Sequence, residues 1–407
     1  MKNSFVRLTG VVTIATVLSA GCGMATSHYG AMPGSTMAMA TSSTKAADLK
    51  TGLNALLGEH VLIAAVATSH ALGGREAAFK GAAAGLDANS VEIARAIGSV
   101  YGADAEKAFL PLWRRHIGFV VDYVGGVAAK DKAKQDNAVN DLVQYTQDFG
   151  AFLSSANPNL PKAVVADLVK SHVLTLKDVI DAQAAADHGK AYTAVRTAHA
   201  HMQMIGDPLA AAITKQFPDK FGGASESPAA TLRTTLDLAL REHVILAAMA
   251  TGSALGGREA EFKAAAAALD ANSVDIAKVI GSVYGPGAQD AFLPLWRRHI
   301  GFVVDYVGGV AAKDKAKQDK AVNDLVQYTQ DFGAFLSSAN PNLPKTVVAD
   351  LVKSHVLTLK DVIDAQAARD WQKVYPALRA AAAHMQMIAD PLADAIAKQF
   401  PAKFAAR

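Results

Sequence analysis

Apolar side chains recur every three or four positions along almost the whole chain, which is the period of an α-helix buried on one side. In segment 49–72 this stripe is formed by Leu53, Leu57, His60 and Ile63. The same period predicts helices at 75–86, 91–101, 106–130, 131–154, 162–186 and 190–217, with residues 87–90 capping segment 91–101. No long stretch alternates with period two, so we expect no sheet.

The chain contains one repeat in two copies, 49–221 and 232–404, which align at a constant offset of 183 residues. Segment 112–124, an apolar run around His116, returns unchanged as 295–307. We therefore predict an all-α protein with two tandem antiparallel bundles, at 45–221 and 232–407. Each bundle is expected to hold four long helices plus shorter ones, and the Gly- and Ser-containing segment 222–231 is the predicted linker.

The similarity of the two copies is uneven. Segments 108–185 and 291–368 differ only at Asn137/Lys320 and Ala163/Thr346, and even their lysines match. Identity inside this block therefore says nothing about the importance of a residue. The outer segments have drifted, so a residue retained there is more informative.

Composition narrows the function classes. Of the 407 residues, 51% are apolar but only 7% are aromatic, which favours close-packed helices rich in alanine. The formal net charge is only +3. This charge implies no basic face, so nucleic acid is not an expected partner.

The N-terminus has the organisation of an export signal. Lys2 and Arg7 precede an apolar run at 8–20 that is too short to cross a membrane, and residues 18–22 end at the single cysteine, Cys22. Residues 18–22 resemble the lipobox of bacterial lipoproteins. The resemblance implies a signal peptide at 1–22, acylation of Cys22 and a membrane anchor. It also implies an outer-membrane location facing the periplasm, because Gly23 and not aspartate follows the cysteine. An ordinary secretory leader cut nearby is the alternative, and segment 23–44 is predicted to be a flexible tether.

Four histidines per copy recur at the repeat offset. They lie on separate predicted helices among apolar neighbours, so each is expected to point inward. Neutral imidazole is the commonest metal ligand, and helical bundles build metal sites in their interiors. The candidate metal ligands are His60, His116, His172, His201, His243, His299, His355 and His384.

Comparison of the two copies supports two of these candidate ligands more strongly than the others. His60 and His201 keep their identity in segments that have drifted. Three other histidines change between the copies, so we predict that they lie on the surface: His70, His188 and His199 become Ser253, Trp371 and Ala382. The alternative for each candidate ligand is a core histidine whose ring nitrogens are satisfied by a carbonyl or hydroxyl group.

Recurring carboxylates could support the histidines. Asp122 and Asp178 each follow a histidine by six residues, which is about 600° of helix and places the pair about 120° apart. We therefore expect them to form salt bridges or to contact the metal ligands, rather than to bind the metal themselves. The acidic candidates in this class are Glu59, Asp122, Asp178, Glu242, Asp305 and Asp361.

Glu59 and His60 on a first bundle helix superficially resemble hemerythrin-like and ferritin-like proteins. Those families bind two irons through His-x3-Glu, His-x3-His or Glu-x2-His pairs, and this chain has none of these in register. We therefore predict a single zinc, copper or iron ion in each copy, held mostly by histidine. Met202 and Met204 beside His201 favour copper, and haem held between two histidines is the alternative cofactor.

The repeat also resembles helical domains of uncharacterised exported bacterial proteins that carry Glu-His, Trp-x2-His-x5-Asp-Tyr and His-Met-x-Met signatures. That resemblance implies no particular activity. No Ser-His-Asp order, Gly-rich phosphate loop or paired-carboxylate motif is present, so an enzyme is not the favoured class. The two leading hypotheses are a metal-binding envelope protein used for storage, delivery or sensing, and a structural or interaction scaffold with core histidines.

Overall fold

A computed structural model describes residues 42–405, and within that range the protein is all helix apart from its turns. Helices α1–α6 form one half and α7–α12 a second, similar half, followed by the short α13. The prediction of an all-α fold made of two repeated bundles is confirmed. The helices are Lys45–Leu72 (α1), Glu76–Tyr101 (α2), Ala103–Ala128 (α3), Lys132–Ala156 (α4), Lys162–Ala184 (α5), His188–Gln216 (α6), Pro228–Leu255 (α7), Glu259–Tyr284 (α8), Pro286–Ala311 (α9), Lys315–Ala339 (α10), Lys345–Ala367 (α11), Trp371–Gln399 (α12) and Pro401–Phe404 (α13).

Each half contains six long helices, whereas the sequence predicted four long helices with shorter ones. The predicted cap at 87–90 lies inside the continuous helix α2. Asn89 is buried and donates from Nδ2 to the Leu56 carbonyl at 3.0 Å, and the Ser90 hydroxyl donates to the Leu86 carbonyl at 2.8 Å. Because α1 and the preceding turn of α2 accept these side-chain hydrogen bonds, the two polar residues fit the helix interior and do not cap a new helix.

The six helices of a half pack in chain order, and α6 closes the bundle against α1. Short loops join them, so consecutive helices run antiparallel. Helices α1, α3 and α5 also contact one another, as do α7, α9 and α11 in the second half. These three odd-numbered helices therefore face one another inside the bundle, and a residue on the inner face of each can meet the other two.

The described residues belong to one compact unit, and the two halves pack through α1 and α7. The hydroxyl oxygens of Thr51 and Thr234, which occupy equivalent positions, lie 3.0 Å apart at this interface. Length and composition alone would let α1 and α7 cross a membrane, but 72% of the most apolar window of each is buried by other helices. In this structure both are central packing helices.

Described residues on both sides of the first bundle pack against the rest of the protein. Ser42 is buried and its backbone N–H donates to the Asp394 carboxylate at 3.2 Å, so the last residues of the predicted tether pack on the second half. Ser227 caps α7 by accepting from the Ala230 N–H at 3.1 Å, so α7 begins within the predicted linker 222–231. The predicted signal peptide, Cys22 and most of the tether lie outside the described residues.

Candidate metal centre

Three of the four predicted histidines of the first half meet inside the bundle. His60 comes from α1, His116 from α3 and His172 from α5, and only 1%, 3% and 4% of their surfaces are exposed. We call them the first triad. The helices that carry them are the three that contact one another within the bundle, so the fold itself brings these side chains together.

The spacing of the first triad suits a metal ion. Nε2 of His60 lies 3.3 Å from Nε2 of His116, and one nitrogen from each of the three rings lies within 4.8 Å of the others. A tetrahedral ion with metal–nitrogen bonds of about 2.0–2.1 Å has an edge of about 3.3 Å between its ligand nitrogens. The His60–His116 pair is therefore already at coordinating separation, and His172 needs only a small approach.

The second half repeats this arrangement. His243 on α7, His299 on α9 and His355 on α11 form the second triad, and all three are buried. Nε2 of His243 and Nε2 of His299 are again 3.3 Å apart. The ring centroids of His243 and His355 are 5.9 Å apart, as are those of His60 and His172.

The electrostatic environment keeps these imidazoles neutral, which is the form that binds metal. Burial, together with the neighbouring His172, lowers the pKa of His116 to about 3. Burial also lowers the pKa of His172 to about 4 and that of His60 well below its ordinary value. The second triad follows the same pattern, with His299 at about 3 and His355 at about 4.

The hydrogen bonding of the triads does not match that of ordinary core histidines. Nδ1 of His60 and Nδ1 of His172 are buried and have no hydrogen-bond partner among the described residues, and the same holds for His243 and His355. A buried polar group without a partner costs free energy. A metal ion held by Nε2 of His60 would still leave Nδ1 of that ring without a partner, so these unsatisfied atoms distinguish the triads from ordinary core histidines but do not by themselves locate an ion.

Comparison with protein-family models, curated proteins and solved structures found no match for the chain. The protein contains two equivalent groups of three buried histidines, each of which could hold a metal ion.

The fourth predicted histidine of each half lies outside its triad. His201 is only partly buried, and its Nε2 lies 3.0 Å from the Leu168 carbonyl. His384 makes the same contact with Leu351 at 3.0 Å. These two side chains have the carbonyl partner expected of a core histidine, so the prediction of four histidines around one ion is replaced by three.

None of the predicted supporting aspartates reaches a triad. Asp122, Asp178, Asp305 and Asp361 are all exposed. Asp122 faces outward, where the nearest cation is Lys134 at 3.9 Å. The helical spacing of six residues already indicated that these side chains point away from the histidines, and the structure places them on the bundle surface.

Glu59 and Glu242 are buried, but they join the two halves and do not support the triads. Glu59 pairs with Arg379 of the second half at 2.5 Å, and Glu242 pairs with Arg196 of the first half at 3.1 Å. The two ion pairs are equivalent under the repeat offset. The retention of Glu59 beside His60 therefore reflects the interface between the halves, which requires a carboxylate at this position in each copy.

The prediction that His70 and His199 lie on the surface was wrong. His70 is 8% exposed; Arg75 donates to its Nδ1 at 2.8 Å and its Nε2 lies 2.8 Å from the Tyr375 hydroxyl. His199 is 6% exposed, with Nδ1 3.7 Å from the Glu242 carboxylate. Both lie at the interface between the halves, where equivalent positions can differ in identity and still be buried.

Aromatic residues surround the first triad. The Trp113 ring lies 4.9 Å from that of His60 and 4.7 Å from that of His116, and Tyr145 lies 5.1 Å from His116. Trp113 Nε1 and the Tyr145 hydroxyl are buried without a hydrogen-bond partner among the described residues. Sequence reasoning did not select either residue for the site, although Trp113 precedes His116 by one helical turn.

An apolar cavity adjoins each triad. In the second half it measures about 480 Å³ and is lined by His299, His355, Trp296, Tyr328 and Met385, among others. In the first half a cavity of about 50 Å³ is lined by the equivalent residues, including Met202. Met204 is 58% exposed and is not part of this wall, so only Met202 keeps the predicted proximity to the histidines.

Proposed function

We propose that each half of this protein binds one transition-metal ion through its buried histidine triad. The observation that carries the proposal is the 3.3 Å separation of Nε2 atoms from two helices, repeated in both halves. A third neutral imidazole from a third helix completes one face of the ion's coordination. Zinc, copper and iron all accept such ligands.

Three imidazoles from the protein leave at least one coordination position open. No described carboxylate or thiol joins the triads. An open fourth position suits zinc, and copper(I) is also satisfied by three imidazoles with a thioether nearby, such as that of Met202. The arrangement supports a single ion per half better than a pair of bridged irons, because bridging requires carboxylates beside the ions.

Burial favours storage among the biological roles. The histidines of both triads are buried between three helices, so an ion held there would exchange only through the adjoining cavity. Delivery to another protein would require the ion to travel along that cavity. We therefore favour slow-exchanging storage over delivery or sensing.

The proposed location is the cell envelope. The residues that support it are 18–22, which resemble a lipobox, and the acylated residue would be Cys22. This anchor makes a membrane the expected partner. Replacing Cys22→Ser should release the protein from membranes in its native host, and a variant that stays membrane-bound would contradict the lipid anchor without affecting the metal proposal.

Haem fits the triads less well than a single ion. A haem iron held by two axial imidazoles requires their nitrogens to be about 4 Å apart, twice a metal–imidazole bond, with the porphyrin between the rings. The Nε2 atoms of His60 and His116 are only 3.3 Å apart, which is closer than this. When haem is titrated into the protein, its absorption spectrum should therefore remain that of free haem. The appearance of two narrow bands typical of low-spin haem would favour the haem alternative.

A scaffold without metal is the second candidate, and the interlocked interface between α1 and α7 favours it. The two proposals differ in one measurable property, the response of the melting temperature to metal. Loading with zinc or copper(I) should raise the melting temperature because the ion binds the folded state only. A melting temperature that no metal changes would leave the scaffold as the better account.

A further inference from the structure

The second triad lies at the inner end of an apolar cavity that extends to the protein surface. The cavity is lined by His299 and His355 at its inner end and by Val347 and Lys398, both exposed, at its mouth. Its volume of about 480 Å³ falls within the size range of small-molecule sites, which is about 300–1,000 Å³. The cavity thus provides both an entry route and room for a ligand larger than water.

Two donors at the inner end of this cavity have no partner. Trp296 Nε1 and the Tyr328 hydroxyl are buried and unsatisfied among the described residues, and both side chains line the cavity. The ring of His299 lies 4.7 Å from that of Trp296 and 5.2 Å from that of Tyr328. An indole N–H can only donate, so a ligand that satisfies it must bring an acceptor to the vicinity of the triad.

The charge of a bound ion points to the same kind of ligand. Three neutral imidazoles leave a divalent ion with its full charge in an apolar environment, which is costly. Two carboxylates line the cavity, Asp390, which pairs with Arg233, and Asp394, which accepts a hydrogen bond from the Ser42 N–H. Neither belongs to the group of atoms that could hold the ion, so an anion from outside the protein is the natural compensation for its charge.

We propose, on the basis of the metal-binding function above, that the second half binds a monocarboxylate with an apolar body. Its carboxylate occupies the open coordination position and accepts hydrogen bonds from Trp296 and Tyr328. Its apolar body fills the cavity towards the mouth, where Leu, Ile, Phe and Val side chains replace water. The equivalent residues Trp113 and Tyr145 offer the same donors beside the smaller cavity of the first half.

The test uses the full chain with Cys22→Ser, loaded with cobalt(II) as a coloured substitute for zinc and titrated with octanoate. The visible absorption bands of the bound cobalt should shift saturably with octanoate. Acetate should bind at least about 10-fold more weakly because it lacks the apolar body, and octanol should not shift the bands. Octanoate that leaves the spectrum unchanged, or acetate that binds as well, would overturn the proposal.

Variants locate the carboxylate. The double variant Tyr145→Phe/Tyr328→Phe removes the two unsatisfied hydroxyls, and this removal should not harm folding. Octanoate binding should weaken about 10-fold, and cobalt binding should be unchanged. Tyr123→Phe/Tyr306→Phe is the matched control, because these hydroxyls donate to Asp181 and Asp364 at 2.6 Å and do not line either cavity at the triads. A loss of octanoate affinity in Lys398→Gln, with none in the Tyr145/Tyr328 variant, would place the carboxylate at the mouth and overturn the proposed orientation.

The two proposals fail in distinguishable ways. If cobalt does not bind, the proposed metal-binding function is wrong and the ligand proposal falls with it. If cobalt binds two per chain and octanoate does not change its spectrum, the metal sites stand and the carboxylate ligand alone is rejected.

Discussion

Thr51 and Thr234 meet hydroxyl to hydroxyl at 3.0 Å, and they are the same residue of the repeat, 183 positions apart. A residue that contacts its own equivalent lies on or near a twofold relationship between the two halves. The paired contacts Glu59–Arg379 and Glu242–Arg196 obey the same relationship. The interface between the halves is therefore isologous, as in a homodimer, although a single chain forms it.

The buried ion pair Glu59–Arg379 should contribute strongly to stability. Arg379→Met leaves the Glu59 carboxylate buried without its main cation, and burial already raises the pKa of that carboxyl group. We expect a loss of about 3 kcal/mol in the free energy of unfolding, measured by urea denaturation. Adding Glu59→Gln should recover most of the loss.

The control for this prediction is the exposed pair Arg114–Asp87, whose side chains are about half exposed. Arg114→Met should cost about 0–1 kcal/mol. Equal losses in Arg379→Met and Arg114→Met would mean that the interface pair does not hold the halves together.

Two helical glycines should respond in opposite ways to alanine. A Cβ at Gly150 would lie 2.6 Å from the Lys162 carbonyl oxygen, so Gly150→Ala should push α4 and α5 apart and destabilise the fold. A Cβ at Gly118 would meet nothing within 4 Å, so Gly118→Ala should stabilise α3 by about 0.5–1 kcal/mol through helix propensity. Thermal unfolding of both variants checks the packing of the bundle, and a stable Gly150→Ala protein would contradict the close contact of α4 with α5.

The metal-free protein should lose stability as pH falls below about 6.5. The triad histidines have lowered pKa values in the folded state, about 3 for His116 and His299 and about 4 for His172 and His355, against an ordinary value of 6.5. Between pH 6.5 and 4 the unfolded chain therefore binds protons that the folded chain does not. The contribution of these neutral histidines to the free energy of unfolding is therefore fully present above pH 6.5 and declines as the pH falls towards 4.

This decline can be measured by urea denaturation at a series of pH values. The variant His116→Leu/His299→Leu has two fewer histidines to protonate on unfolding, so its stability should fall less steeply over the same pH window. If the stability of the wild type stays constant between pH 6.5 and 4.5, the triad histidines are not buried in their neutral form.

The sequence was sufficient for the fold class and for three of the four histidines selected in each half as candidate ligands. The helical period and the repeat offset predicted an all-α protein of two bundles, and His60, His116 and His172 were selected because each lies in an apolar stripe on a different helix. The break predicted at Asn89 and Ser90 was wrong because their hydrogen-bond partners on α1 and on the preceding turn of α2 cannot be inferred from local composition.

The errors about Glu59 and His70 have a common physical cause. Their partners, Arg379 and Tyr375, lie 320 and 305 residues away in the chain. The local pattern of apolar residues identifies which face of a helix is buried. It does not show whether that face is buried inside its own bundle or at the interface with the other half. Because Glu59 is retained in the second copy, it was assigned to the metal site. Because His70 is replaced there, it was assigned to the surface. Both residues in fact lie at the interface between the halves.

The fourth histidine provides an internal control for the site. His201→Leu removes a ring that bonds the Leu168 carbonyl, and we expect metal content to stay at two ions per chain. The loss of a satisfied hydrogen bond should lower stability by about 1 kcal/mol. Loss of one ion in this variant would show that His201 is a ligand after all.

The most direct test is the metal content of purified protein after loading with zinc or copper(I), measured by elemental analysis per chain. We expect two ions for the wild type, one for His116→Leu, one for His299→Leu and none for His116→Leu/His299→Leu, with circular dichroism confirming that all four proteins are folded. Metal that never exceeds trace amounts in the wild type, or that stays at two ions in the double variant, would contradict the claim that the two histidine triads bind metal.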